Sequence, residues 1–238
     1  MRLDLALVER GLARSRTHAA SLIREGLVSV NGKPAGKASQ AVGDHDALSS
    51  TTDGWVSRAA HKLIGALDQS GTAVPGRVLD AGASTGGFTQ VCLERGAETV
   101  YAVDVGHGQL VDSLQGDPRV RVREGLNLRD LTLDHLDGHP VDLIVGDVSF
   151  ISLSLLLPSL APTLAAGGSA LLLVKPQFEV GRERLGSGGI VRDPALRVEA
   201  VDRIAAAAAQ FGWREVWRGQ SVLPGSAGNV EYFIKFTG

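Results

Sequence analysis

Val78-Leu79-Asp80 leads directly into Ala81-Gly82-Ala83-Ser84-Thr85-Gly86-Gly87-Phe88. A buried strand, a glycine-rich turn and a following helix together bring the backbone close to a ligand at the carboxyl edge of a sheet. The glycine spacing departs from G-x-G-x-x-G, and no Lys-Ser/Thr pair follows as in a phosphate loop, so the turn is unsuited to a triphosphate. Taken alone, the glycine-rich turn is weak evidence for a nucleotide-binding site, because many α/β folds contain such a turn.

On both sides of this turn, strand-like apolar runs alternate with helical segments. Strands are predicted at 77–80, 99–104, 119–123, 141–147, 169–175, 214–222 and 229–236. Helices are predicted between the first six strands, and a further helix, from Arg58 to about Gln69, precedes them. This alternation predicts a parallel α/β sheet with helices on both faces, which ends in an antiparallel hairpin.

A second acidic residue follows about one strand and helix later. Asp104 ends the second strand, where a carboxylate is positioned to accept hydrogen bonds from the ribose hydroxyls of a nucleoside. Asn127 follows the third strand and either lies near the adenine or caps a helix. A surface turn is the alternative interpretation of Asp104, but together with the glycine turn it favours a nucleoside cofactor.

Four charged residues lie where the strand pattern gives no packing reason for them. Asp147 and Lys175 follow the fourth and fifth strands, so both face the crevice in which such folds bind ligands. Glu231 lies in the last strand, and Lys62 lies on the helix before the first strand. For Lys62 alone, a solvated helix lysine is the simpler interpretation.

The first 40 residues differ in charge from the rest, with seven Lys or Arg against three Asp or Glu. Two short helices are predicted at 2–11 and 16–25, followed by a strand and an Asn-Gly turn over 27–33. Basic residues cluster around this segment, namely Arg14, Arg16, Arg24, Lys33 and Lys37. They form either a solvated face or a surface that contacts a polyanion.

Several classes of protein are disfavoured by composition. Cys92 is the single cysteine, so an intramolecular disulfide and a cysteine metal cluster are excluded, and its position suggests a buried helix face. No stretch suits a signal peptide, and the apolar runs are interrupted well short of the ~20 residues that span a membrane. A cytoplasmic protein is therefore expected.

The sequence resembles known families along nearly its whole length. ARSRTHAASLIREGLVSVNGK resembles the RNA-binding domain of the ribosomal-protein-S-four type, and LDAGASTGGFT resembles the cofactor loop of FtsJ-like ribose methyltransferases. RAAHKL, VGDVSFISL, LLLVKPQFEVG and GNVEYF are similar to segments of the TlyA family, the haemolysin A-like rRNA 2′-O-methyltransferases. The chain is therefore identified as a member of that family.

This resemblance implies an α/β fold, a Rossmann-like seven-stranded methyltransferase sheet with its last strand antiparallel, after a small N-terminal α+β RNA-binding domain. The implied domains are 1–48 for RNA binding, a linker at 49–57, and 58–238 for S-adenosylmethionine-dependent methyl transfer. The implied cofactor-binding residues are Asp80, Gly82, Ser84, Thr85, Gly86, Gly87, Phe88, Asp104, Asn127 and Asp147. The implied catalytic residues are Lys62, Asp147, Lys175 and Glu231, with no metal.

The implied reaction methylates the ribose of a cytidine in ribosomal RNA. The expected partner is the small ribosomal subunit with its 16S rRNA, and longer family members also act on 23S rRNA. One lysine takes the proton of the 2′-hydroxyl while the carboxylates orient the amines, and Lys175 is the first candidate. Lys62 remains open as the alternative base. Where some members of the family have Arg-Ala-Trp in the linker, this chain has Asp53-Gly54-Trp55, which keeps the tryptophan but departs from the pattern on which the linker's role in coupling RNA docking to cofactor binding rests.

The segment Pro176–Pro194, rich in glycine and arginine, is expected to be a flexible basic loop that closes over the substrate, or else a surface insertion. Three other functions remain as alternatives. They are a non-catalytic RNA-binding assembly factor, a membrane-active haemolysin, and a base methyltransferase. Base methylation typically uses an Asn/Asp-Pro-Pro-aromatic motif or a cysteine, and this chain has Asp147-Val148-Ser149-Phe150 at the corresponding strand end.

Overall fold

The computed structural model of the chain describes residues 1–13, 15–24, 26–50 and 54–238. The chain divides into two compact units, Met1–Gly54 and Trp55–Gly238. Among the described residues, no helix is both long enough and apolar enough to cross a membrane.

The first unit is a small α+β structure. Its elements are α1 (Leu3–Glu9), α2 (Arg16–Arg24), β1 (Val28–Val30), β2 (Lys33–Pro34) and β3 (Leu48–Ser50). The three strands form an antiparallel sheet in the order β2-β1-β3. Asn31 and Gly32 both have positive φ, 52° and 75°, which is the geometry of the tight hairpin turn that the Asn-Gly pair predicts.

The linker predicted from residue 49 is wrong at its start. Ser49 and Ser50 lie in β3, and Ser49 pairs with Ser29 of β1. The two serine hydroxyls are 2.6 Å apart. This short strand carries almost no apolar side chains, so the alternation that reveals a strand in sequence is missing. Asp53 of the predicted linker lies outside the described residues.

The second unit contains a large sheet and its flanking helices. The strands are β4 (Arg77–Ala81), β5 (Thr99–Asp104), β6 (Val120–Glu124), β7 (Val141–Gly146), β8 (Leu164–Val174), β9 (Arg214–Gln220) and β10 (Tyr232–Thr237). The helices are α3 (Ala59–Ser70), α4 (Gly87–Glu94), α5 (Asp112–Gln115), α6 (Leu157–Leu160), α7 (Pro176–Glu179) and α8 (Pro194–Ala209).

The seven strands lie in the order β6-β5-β4-β7-β8-β10-β9. β4 to β8 pair in parallel, whereas β10 is antiparallel to both β8 and β9. The predicted seven-stranded sheet with an antiparallel last strand is therefore confirmed. The order reverses at β4, so the carboxyl ends of β4, β5 and β7 meet at one crevice.

Both faces of the sheet are buried. In β7, Ile144 packs into one apolar cluster while Leu143 and Val145 pack into the other. Burial of such a side chain stabilises the fold by about 1.5–3 kcal/mol, so continuous apolar strands fix the sheet between its helices. Cys92 of α4 is fully buried, as its position in the sequence predicted.

One predicted helix is absent. Between β6 and β7, where every residue is described, the chain forms two 3₁₀ turns, Leu128–Asp130 and Leu133–Leu136, instead of an α-helix. Asn127 caps the first turn, and Asp137 and Gly138 have positive φ after the second. These breaks leave too few consecutive residues for a stable α-helix.

The segment between Pro176 and Pro194 is not the free basic loop that was expected. It contains α7 and two 3₁₀ turns, Arg182–Arg184 and Ser187–Gly189. Arg184 forms two 2.8 Å hydrogen bonds with Glu199 of α8. Buried Asn229 accepts the N–H of Val191 and donates to the carbonyl of Gly189, which ties the segment to the approach of β10.

Candidate active site

The turn after β4 requires glycine at two positions. Gly82 has φ +88°, and a Cβ there would lie 2.8 Å from the carbonyl oxygen of Asp147. Gly86 has φ +99°, and a Cβ there would lie 2.3 Å from Leu114. Only glycine adopts this backbone without strain, so the turn can pass close to the end of β7. The structure thus places the turn against the end of β7, and its approach to a ligand stays a prediction.

Asp104 connects this turn to the end of β5. One of its carboxylate oxygens accepts the N–H of Ser84 at 2.8 Å, and the other accepts the N–H of Gly106 at 2.7 Å. Each carboxylate oxygen can accept a further hydrogen bond. The half-buried carboxylate can therefore hold two vicinal hydroxyls, which fits the ribose of a nucleoside.

Asp80 lies beneath the turn and is fully buried. Its Oδ2 accepts a 2.6 Å hydrogen bond from the Thr89 hydroxyl, while its Oδ1 has no hydrogen-bond partner within the described part of the chain. Burial raises the pKa of Asp80 to about 7, and the nearby carboxylates of Asp147 and Asp104 add to this rise. An unpaired acceptor at this depth suits a ligand that brings a positive charge or a donor, as a sulfonium amino acid does.

Three other residues that were predicted to bind the cofactor have structural roles in the fold. Phe88 is buried with its ring 6.1 Å from that of Phe233, so its side chain belongs to the core. A Cβ on Gly87 would lie 2.3 Å from the Ser57 hydroxyl, which shows that this glycine lets α4 pack on the start of α3. Asn127 is exposed and caps a 3₁₀ turn through Arg129 N–H, the alternative that the sequence left open. Thr85 is half-buried within the turn.

The four charged residues of the predicted tetrad line one cleft of about 390 Å³. Lys62 reaches it from α3 and Glu231 from the approach to β10. Their side chains are 6% and 2% exposed, and Lys62 Nζ donates a 2.6 Å hydrogen bond to Glu231 Oε2. Breaking such a buried pair leaves an uncompensated charge and costs about 3–5 kcal/mol, so each partner holds the other in place.

The second pair comes from the ends of two neighbouring strands. Lys175 Nζ lies 2.5 Å from Asp147 Oδ1 and donates a 2.7 Å hydrogen bond to Ser149 Oγ. Among the residues that the structure describes, none donates a well-aligned hydrogen bond to this Asp147 oxygen, so the contact with Lys175 is an ion pair alone. Both side chains are mostly buried, Lys175 at 10% and Asp147 at 16% exposure.

Asp147 also joins the cleft to the glycine turn. Its N–H donates to the carbonyl of Ala81 at 3.1 Å, and its own carbonyl lies against Gly82. A ligand in the turn and a group in the cleft would therefore meet beside Asp147 and Lys175. This arrangement can bring a donor nucleoside and an acceptor hydroxyl together next to an amine.

The sequence did not single out several residues of the cleft. Ser149 contacts Lys175, and its place two residues after Asp147 at a strand end was the available signal. Phe150 is 91% exposed at φ +68°, and its ring lies 5.4 Å from that of Phe178. Buried Glu179 accepts hydrogen bonds from Ser152 Oγ and from the backbone N–H of Leu153. Glu179 thereby fastens the turn after Phe150 to α7.

The predicted RNA-contacting residues of the first unit are mostly solvent-exposed. Arg24, Lys33 and Lys37 are exposed, and Arg24 donates a side-chain hydrogen bond to Ser21 of its own helix. Arg16 is also exposed, but it forms a 3.3 Å ion pair with Asp4. Arg14 lies outside the described residues.

Comparison with known proteins gives consistent likenesses. The FtsJ-like methyltransferase family matches residues 55–237, and the S4 domain family matches residues 1–48. The chain is 53% identical, over 98% of its length and 88% of the relative, to the 16S/23S rRNA (cytidine-2′-O)-methyltransferase TlyA of Mycobacterium tuberculosis. It is 38% identical to Hemolysin A of Brachyspira hyodysenteriae over 99% of both chains.

Solved structures show the same likeness. The structure of a protein named as a hemolysin from Streptococcus thermophilus is similar to this chain with a TM-score of 0.80 and 38% sequence identity. The match covers 100% of this chain and 88% of the other.

Proposed function

The chain belongs to the FtsJ-like methyltransferase family, in its TlyA branch, and we propose that it methylates the 2′-hydroxyl of a cytidine in ribosomal RNA, with S-adenosylmethionine as donor. The observation that carries the proposal is the cleft beside the glycine turn. There Lys62 pairs with Glu231, and Lys175 pairs with Asp147. In this proposal one of these amines accepts the proton of a hydroxyl that reacts with a bound methyl donor.

The chemistry needs a base because a protonated ribose hydroxyl is a weak nucleophile. S-adenosylmethionine supplies an electrophilic methyl group whose C–S bond breaks as the new O–C bond forms, leaving a neutral thioether. In this proposal Lys175 Nζ, in its neutral form, takes the 2′-hydroxyl proton. The choice of Lys175 over Lys62 rests on its partner Asp147, whose backbone contacts the glycine turn.

The remaining side chains of the cleft position the reacting groups. Asp147 and Ser149 hold the Lys175 amine from two directions. Lys62, fixed by Glu231, orients the hydroxyl as it is deprotonated. Much of the rate enhancement would then come from holding the hydroxyl oxygen ~3–3.5 Å from the methyl carbon and in line with the breaking bond.

The substrate is a polynucleotide in this proposal, for two reasons. Exposed basic side chains of the first unit suit contacts with phosphates, which fix position without reading sequence. The exposed Phe150 ring at the cleft offers a face on which an unstacked base can lie, as single-stranded RNA sites commonly require. The 16S rRNA of the small subunit is the first expected target, and the enzyme would meet it in the cytoplasm.

Incubation with methyl-labelled S-adenosylmethionine and separated small and large ribosomal subunits tests this function. We expect label in rRNA of the small subunit, and label in the large subunit would extend the target to 23S rRNA. RNA binding without any label on either subunit would contradict the proposal and favour a non-catalytic assembly factor. Lysis of membrane vesicles without methyl transfer would instead favour a membrane-active haemolysin.

A further inference from the structure

A glutamine beside Asp104 belongs neither to the predicted tetrad nor to the glycine turn. The Ser84 hydroxyl of the glycine turn donates to Gln109 Oε1 at 3.1 Å. With its oxygen engaged in this way, the Gln109 amide presents its Nε2 toward Gly106. Among the residues that the structure describes, Nε2 has no hydrogen-bond partner, and the side chain is exposed.

The free donor lies next to the Asp104 carboxylate, the proposed acceptor of the ribose hydroxyls. A Cβ built on Gly106 would lie 1.8 Å from Gln109 Nε2 and 3.1 Å from Asp104 Oδ1. A donor and an acceptor therefore lie close together beside Gly106, where a side chain would otherwise stand. A hydroxyl group, which donates one hydrogen bond and accepts another, is complementary to this arrangement.

The backbone that carries Gln109 is held firmly. Glu124, at the end of β6, accepts the N–H groups of Gly108, Gln109 and Leu110 at 2.7 to 3.3 Å. The hydrogen bonds from Gly108 and Gln109 lower the pKa of Glu124, which keeps this carboxylate charged. Gly106 must lack a side chain for the amide of Gln109 to lie where it does.

We propose that Gln109 is a second ribose-binding residue of the cofactor site, its Nε2 donating a hydrogen bond to a hydroxyl whose own proton is accepted by Asp104. The inference rests on the proposed function, because it takes the ligand of the glycine turn to be a nucleoside. Gln109 would thereby discriminate a ribonucleoside cofactor from one that lacks a ribose hydroxyl.

Calorimetric binding of S-adenosylhomocysteine, and of its 2′-deoxy and 3′-deoxy analogues, tests this role. For S-adenosylhomocysteine, we expect Gln109→Ala to weaken affinity about three- to tenfold, the range of one neutral hydrogen bond. With one of the two deoxy analogues the same substitution should change affinity less than about twofold, because its partner hydroxyl is gone. Gln109→Glu should weaken binding further, since it cannot donate and places a second carboxylate beside Asp104.

Gln115→Ala is the matched control, because Gln115 also binds this loop through its side chain, at the carbonyl of Leu110. A purely structural role predicts equal losses for all three ligands, and that pattern with Gln109→Ala would overturn the proposal. Tighter binding by Gln109→Ala would also overturn it, because the side chain would then fill the ribose position. Wild-type protein that binds none of the ligands would overturn the proposed cofactor itself, and this inference with it.

Discussion

At the scale of single residues, the cleft is organised by pairing charges. Two lysines and two carboxylates lie in a largely buried space, yet each lysine contacts a carboxylate at 2.5 to 2.6 Å. Desolvation makes unpaired charges costly, so the pairs allow the fold to hold amines at this position. The same pairing fixes where each amine lies in the cleft.

Lys175→Ala is expected to lower the rate of methyl transfer about 10³-fold, within the range that removal of a general base produces. Affinity for S-adenosylhomocysteine should change less than about threefold, because Lys175 is not part of the glycine turn. Lys235→Ala serves as the matched control, since Lys235 lies on neighbouring β10 and is not among the cleft residues. Single-turnover kinetics and calorimetry measure the two quantities, and equal rates for both variants would refute the role of Lys175.

Asp80 predicts a pH dependence of stability. Its pKa is raised by burial to about 7, so the folded state binds a proton that the unfolded state releases above pH ~4. The free energy of unfolding should therefore fall as pH rises from about 4 to 7, by up to about 1.4 kcal/mol per pH unit from this group.

Asp80→Asn should remove this part of the slope while its amide oxygen still accepts from Thr89. Urea unfolding of both proteins is measured between about pH 4.5 and 7.5. Over most of this range the folded protein keeps a proton on Asp80 that the unfolded chain has lost. Parallel slopes for wild type and variant would show that Asp80 is ionised in the folded protein across this range.

At the scale of elements, the sequence predicted most strands and several site residues because these depend on local patterns. Continuous apolar runs such as 170–174 predict strands buried on both faces, and a charged residue after such a run marks the crevice. The orientation of side chains that depends on tertiary packing was not predicted. Phe88 and Gly87 follow the glycine turn directly, but only the packing of α4 on α3 and β10 shows that they face the core.

Other features were not predicted because they also depend on contacts between distant parts of the chain. β3 is too short and polar to alternate, and its pairing with β1 becomes visible only in three dimensions. Ser149 gave only its position two residues after Asp147 at a strand end as a signal, and Gln109 gave none, because a glutamine near a turn is common. Their roles depend on atoms of Lys175 and Ser84 that lie far away in the chain.

The glycine turn predicts a position-specific cost for added side chains. Gly82→Ala should abolish detectable binding of S-adenosylhomocysteine and lower the melting temperature, because its Cβ meets the Asp147 backbone at 2.8 Å. Gly138→Ala is the control, since Gly138 has a similar φ of +79° but no described atom within 4 Å of its Cβ position. The control should show only the cost of positive φ, about 1 kcal/mol. Equal melting temperatures in the two variants would contradict the clash.

At the scale of the whole molecule, charge is unevenly distributed along the chain. The first 40 residues carry a formal charge of +4, whereas the complete chain carries −2. A basic stretch over residues 1–40 followed by an acidic remainder suits a protein in which RNA contacts concentrate near the start of the chain and cofactor chemistry lies in the second unit.

Arg24→Ala combined with Lys37→Ala should raise the KM for ribosomal subunits about tenfold while leaving S-adenosylhomocysteine affinity unchanged. The dependence of RNA binding on salt should also become shallower, by about one unit in the log–log slope for each phosphate that the protein no longer neutralises. Arg95→Ala is the control, because Arg95 is an exposed arginine of the second unit, paired with Asp68 at 2.9 Å. A control that weakens RNA binding as strongly as the double variant would argue against a dedicated basic surface.

The chemical position of the transferred methyl group decides whether the protein methylates ribose. After reaction with wild-type protein, rRNA is digested to nucleosides, and methylated cytidines are separated by chromatography and identified by mass spectrometry. Ribose methylation predicts 2′-O-methylcytidine, with alkali-resistant dinucleotides in a parallel hydrolysis. Methylcytidine carrying its new mass on the base, with every internucleotide bond sensitive to alkali, would contradict the account of the paired-lysine cleft.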